Sequence, residues 1–119
     1  MKYLCIVHCQ ADAFDQQTAE EKRALDSDSL AYDKDLMARG VYIHAEALQS
    51  PQAATIVKVR NGAMSMTDGP FSEAKEQIAG FILIEARDMA QAIDIAGQIP
   101  MARIGTIEVR PVYDFSGAV

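Results

Sequence analysis

A chain of 119 residues, half of them apolar and 24% charged, fits one globular domain spanning 1–119 and excludes low-complexity disorder. Its formal charge of −6 repels phosphate backbones and anionic lipid, and no cluster of Lys or Arg offsets that locally, so neither nucleic acid nor a membrane surface is an expected partner. The N-terminal apolar stretch is too short for a signal peptide and no segment approaches the length of a membrane span, which sets the expectation of a cytoplasmic protein.

Residues 2–9 favour a strand, since Tyr3, Ile6 and Val7 have high β propensity, and apolar side chains fall on both parities, as in a central strand buried on both faces. Cys5 and Cys9 would lie roughly 13 Å apart along it, too far to bond to each other, and read as reduced core thiols. Thr18-Ala19-Glu20-Glu21 matches a capping box and opens a long helix to about Arg39, with Leu25, Ser29, Tyr32 and Leu36 on one stripe and Gly40 as its stop. Val41, Ile43, Ala45 and Ala47 then alternate with Tyr42, His44 and Glu46, predicting a strand with one apolar and one polar face, ended by Ser50-Pro51.

Residues 54–60 predict another strand, and Asn61-Gly62 is a strong hairpin signal that returns the chain through 63–66. Residues 78–85 are apolar on both parities through Ile78, Phe81, Ile82, Leu83 and Ile84, predicting a second central strand. Asp88 caps a second helix in which Met89, Ala92, Ile93, Ala96 and Ile99 repeat at helical spacing before Pro100. A last strand spans 106–113, with Ile107 and Val109 opposite Glu108 and Arg110.

Without the inserted hairpin the order is strand-helix-strand-strand-helix-strand, an α+β, ferredoxin-like βαββαβ layout with two helices on one face of a four-stranded antiparallel sheet. Two strands apolar on both sides need cover on the other face as well. A second copy of the sheet supplies it, predicting a homodimer in which two sheets enclose a barrel-like interior.

Ionisable groups concentrate in Thr67-Asp68-Gly69-Pro70-Phe71-Ser72-Glu73-Ala74-Lys75-Glu76. Gly69 tolerates positive φ, and Pro70 locks its own φ while forcing Gly69 out of the α region, so Asp68 is expected in one orientation. This segment, continuing through Gln77-Ile78-Ala79-Gly80-Phe81 and joined by Ile107-Glu108-Val109-Arg110-Pro111, resembles the YCII-related, DGPF-containing family of small bacterial proteins over nearly the whole chain. The resemblance implies the dimeric α+β barrel superfamily, whose members include cofactor-free oxygenases, isomerases and lyases acting on small organic molecules. Related proteins are associated with a His–Asp pair whose His lies near the start of the first helix. Here that region is Asp15-Gln16-Gln17-Thr18-Ala19, without a histidine, so only Asp68 carries over as the aspartate of the turn motif.

Asp68 is a candidate general base if it faces a dry cavity, and a turn-stabilising acceptor of backbone amides if it does not. His44 is a candidate proton-transfer partner, or a half-exposed strand histidine. Lys75 is a candidate anion anchor or the member of a solvated ion pair, and Phe71 is a candidate wall of the substrate site. Arg60 can clamp a carboxylate, whereas Glu108 and Arg110 read as structural ion-pairing residues. His8 has parity opposite to Cys5 and Cys9, which removes a converging metal set, and no phosphate-binding glycine loop occurs, so neither metal nor other cofactor is expected. The leading expectation is a cofactor-free pocket for a small polar organic ligand, with a ligand-sensing or protein-interaction module as the alternative.

Overall fold

The computed structural model describes residues 1–117. Strand β1 (Lys2–Gln10) leads to helix α1 (Ala19–Ala38), and β2 (Tyr42–Ala47) to a hairpin of β3 (Thr55–Arg60) and β4 (Ala63–Asp68). Then come β5 (Glu76–Glu85), α2 (Met89–Gly97) and β6 (Thr106–Pro111). The main sheet has the order β2-β5-β1-β6 with every neighbour antiparallel, and β3–β4 form a separate two-stranded sheet. This is the ferredoxin-like α+β arrangement with an inserted hairpin that the sequence predicts.

Local chemistry sets the element ends. The Thr18 hydroxyl accepts from the Glu21 amide at 3.0 Å while the Glu21 carboxylate accepts from the Thr18 amide at 3.1 Å, a complete capping box. Asp88 accepts from the Gln91 amide at the start of α2. Asn61 and Gly62 both have positive φ, 51° and 75°, as a type I′ hairpin turn requires.

Odd-numbered residues of β1 face the helices: Tyr3 and Cys5 join Ile82 and Ile84 of β5, Leu36 of α1, and Ala92, Ile95, Ala96 and Ile99 in one buried cluster. The Tyr32 hydroxyl donates to the Ile95 carbonyl at 2.7 Å, tying α1 to α2. Burial pushes the Cys5 thiol up to about 11 and raises that of Cys9, with the Glu76 carboxylate adding to the latter, and both cysteines are free.

Two predicted patterns are corrected. In β2, Tyr42 pairs with Ile84 but His44 with Leu83, so Ile43 is an extra residue in a bulge. Tyr42 therefore packs with Ala45 on the core, and Ile43 is exposed instead of sharing the apolar face predicted for it. In α2 the buried stripe runs through Ala92, Ile95, Ala96 and Ile99, with Met89 and Ile93 outward, because the helix rotates its Ile95 side against Leu36 and Cys5. Regular helix also stops at Gly97, ahead of a 3₁₀ turn at Pro100–Arg103, and β6 ends at Pro111, two residues before the predicted end.

Even-numbered residues of β1 face away from both helices. Leu4 and Ile6 lie beside Leu83 and Phe81 of β5, forming an apolar floor two strands wide on the open side of the sheet. Leu36→Ala should cost about 2–5 kcal/mol of unfolding free energy in urea titrations, and Ile93→Ala, 55% exposed, should stay within about 0.5 kcal/mol. Equal losses would show that the stripe of α2 is misassigned.

Candidate functional site

The edge strands supply polar rails to that floor. Facing Ile6 across the β1–β6 ladder is Glu108, and its side chain reaches diagonally to His8, whose Nε2 lies 3.0 Å from Oε1. The other carboxylate oxygen, Oε2, accepts from Arg110 Nε at 3.1 Å and also from its terminal Nη2. The Arg110 guanidinium first, and then the His8 hydrogen bond, hold the Glu108 carboxyl below its usual range. An ionised carboxylate only accepts, so His8 donates from Nε2 in this contact, and its Nδ1 has no hydrogen-bond partner among the described residues. At the opposite edge, His44 Nε2 lies 2.9 Å from Glu46 Oε2, and the His44 ring stands 6.0 Å from that of Phe81.

His8 also enters the wall of a hollow of about 650 Å³, shared with Leu48 to Pro51, Pro70 to Ser72, and Glu76 to Ile78. A small organic ligand fits that volume. Its wall is mostly apolar, with His8, Glu76, Gln49, Gln77, Ser50 and Ser72 as the polar groups and no Lys or Arg.

Backbone chemistry builds this wall. Gly69 has a φ of 102°, a conformation open to it because it lacks a Cβ, and its amide donates to the Ala54 carbonyl at 2.7 Å, closing the turn onto the start of β3. The Gln77 side-chain amide donates to the carbonyls of Ser72 and Ala74 at 2.6 and 2.8 Å, and the Ser72 hydroxyl accepts from the Ala74 amide. Thr106 donates its hydroxyl to Glu76 at 3.0 Å, linking β6 to the same end of β5. Beside His8 stands Gly105, where a Cβ would lie 2.2 Å from the His8 carbonyl oxygen, so only glycine lets the two backbones approach this closely.

Of the residues singled out from the sequence, Phe71 stands in the wall while remaining 78% exposed, with Lys58 Nζ 5.8 Å from its ring centroid. Asp68 ends β4 opposite Thr55, is exposed, and makes no side-chain hydrogen bond or ion pair among the described residues. It precedes the wall segment by two residues without lining it. The amide-capped Asx turn considered for it is therefore not formed. Lys75 is exposed and Arg60 donates to the neighbouring Val59 carbonyl, and neither lines the hollow. His44 sits across the floor, on the opposite edge strand from Glu108.

The His8–Glu108 pair was missed by sequence reasoning, although the parity of both residues places them on the open face. What could have joined them was the register of two strands 100 residues apart. Among the described residues no group of three or more His, Cys, Asp or Glu side chains converges as a metal site, and no helix is long and apolar enough to cross a membrane.

The family profile of the YCII-related domain matches residues 1–116. Uncharacterized protein R00369 of Rhizobium meliloti (strain 1021) is 39% identical over 62 residues, a match covering 50% of this chain and 50% of that protein.

Because the Glu108 carboxyl is held below its ordinary value, 4.5, in the folded protein, it contributes stability above that pH and loses it as pH falls through the lower folded value. The stability advantage of wild type over Glu108→Gln, read from urea midpoints, should hold at neutral pH, narrow below 4.5 and vanish in stronger acid. An advantage independent of pH would contradict the Arg110–Glu108–His8 linkage.

Proposed function

This chain belongs to the YCII-related domain family, and on that premise we propose that it is a cofactor-free enzyme acting on a small polar organic molecule, with His8 as the proton-transfer group. The supporting observation is the position of His8: it lines the hollow and is hydrogen-bonded to a carboxylate that also accepts from Arg110. Substrate seated against Phe71 and Ile78 gives up a proton to His8 Nδ1, and the resulting imidazolium is stabilised by Glu108 through its Nε2–H. Return of that proton to a different substrate atom completes an isomerisation, and its delivery to a leaving group completes an elimination, with no redox partner needed in either case.

The wall lacks a cation, which favours substrates that are neutral or that donate hydrogen bonds to Glu76, Gln77 and Ser72. Asp68 is assigned to substrate capture outside the wall and His44 to the far side of the floor. The working form is a homodimer, with the floor of Leu4, Ile6, Phe81 and Leu83 facing its copy and the two sheets enclosing a chamber, in a cytoplasmic setting that keeps the two thiols reduced. A non-catalytic ligand-sensing or interaction module draws support from the exposed apolar side chains of the hairpin.

Deuterium exchange into a panel of small carbonyl compounds, followed by NMR, tests the catalytic reading. His8→Gln should lower the exchange rate about 10²–10⁴-fold while dimer mass is unchanged, and Asp68→Asn should raise KM at unaltered kcat. Wild-type rates in His8→Gln, or a collapse of kcat in Asp68→Asn, would move proton transfer from His8 to the acidic turn. No exchange by wild type, together with a retained small molecule in native mass spectra, would favour the sensing module.

A further inference from the structure

The β3–β4 hairpin has no sheet partner beyond itself, since it forms its own two-stranded sheet apart from the main one. Isolated two-stranded hairpins are at best marginally stable in water, so a formed one needs something to pack on. Its two faces differ. Ile56 is half-buried and Lys58 reaches back over Phe71, so this parity looks toward the chain's own body. Strand alternation turns the other parity away: Val57 pairs with Met66 and Val59 with Met64, and these four side chains are 56–66% exposed.

We propose that this hairpin is a dimerisation arm whose Val57, Val59, Met64 and Met66 face packs on a second copy of this chain. Three observations choose that occupant. First, the molecule is a slab of 47 × 46 × 19 Å with a radius of gyration of 16.4 Å, against about 13.5 Å for a compact chain of this length, so it is spread out in the way of a protomer completed by association. Second, area decides against the arm as a self-sufficient site: at roughly 60–120 Å² for each fully exposed side chain, the four contribute roughly 150–300 Å², well short of the roughly 800 Å² per partner of a stable complex. The arm needs a neighbouring apolar surface engaged by the same partner, and the chain has one in the open sheet floor. Third, the hairpin Thr55–Asp68 carries Lys58 and Arg60 against Asp68 alone, while the other nine basic residues face 16 acidic ones, so a net positive arm meets a net negative body in a second copy of this chain.

The inference rests on the sheet-to-sheet dimer of the preceding reading and extends it to the candidate site. The arm springs from the segments that wall the hollow, Ala54 before β3 and Pro70 and Phe71 after β4. Docking on the second copy holds those walls in place, so the site is complete only in the dimer.

Light scattering across a concentration series tests this with wild type, the arm variant Val59→Glu/Met64→Glu and the sheet variant Leu83→Glu, each checked for native circular dichroism. A second arm variant, Val57→Gln/Met66→Gln, removes apolar surface without adding charge. Both arm variants should weaken the dimer at least about tenfold, or ~1.4 kcal/mol, and so should Leu83→Glu. If Leu83→Glu dissociates while both arm variants stay within about twofold of wild type, the arm proposal fails and the sheet dimer survives. If the arm variants dissociate and a folded Leu83→Glu does not, the sheet pairing fails and the arm survives. Wild type that is monomeric throughout overturns both, and its co-sedimentation with vesicles of mixed zwitterionic and anionic lipid would mark the arm as a membrane contact instead.

Discussion

The structure turns on an imbalance of cover. Two helices bury one face of a four-stranded sheet, yet its central strands carry Leu4, Ile6, Phe81 and Leu83 on the other face as well. Apolar area of this kind is among the larger free-energy terms available to a chain of 119 residues, and leaving it wet forfeits it. That floor is fenced by His44 and Glu46 on one edge and by Glu108 and Arg110 on the other, apolar in the middle and polar at the sides.

The same arrangement explains why chemistry gathers at one end of the sheet. β1, β2 and β5 bring His8, Leu48 and Gln77 together there, and the Asp-Gly-Pro-Phe turn folds over them because Gly69 bonds Ala54 and Gln77 gathers the carbonyls of Ser72 and Ala74. His8 gains direction from Glu108, and Arg110 holds the Glu108 carboxyl below its usual range. Each member of this line makes the next useful, and each comes from a different depth of the open face.

Much of the fold was legible because local rules agreed with one another. Thr18 and Glu21 announced a helix start, Asn61-Gly62 a hairpin, and two-sided apolar runs the central strands. What escaped depends on register. The bulge at Ile43 turns Tyr42 inward and Ile43 outward without any glycine or proline to mark it, and Ile95 replaces Ile93 in the core because helix rotation is settled by packing against Leu36. The charge within the motif turn drew attention to Asp68, while the half-buried His8–Glu108 contact depends on the β1–β6 ladder, whose register composition does not reveal. Gln77 and Gly105 shape the site through backbone contacts that composition does not reveal.

Hydroxyl-radical footprinting on dilution tests most directly whether the open floor is a covered chamber. Leu4, Phe81 and Leu83, partly exposed in the single chain, should be protected at high protein concentration and become reactive as the protein is diluted, while the outward-facing Ile93 reacts equally throughout. Floor residues as reactive as Ile93 at every concentration would leave that face bare to water and remove the chamber on which the site depends.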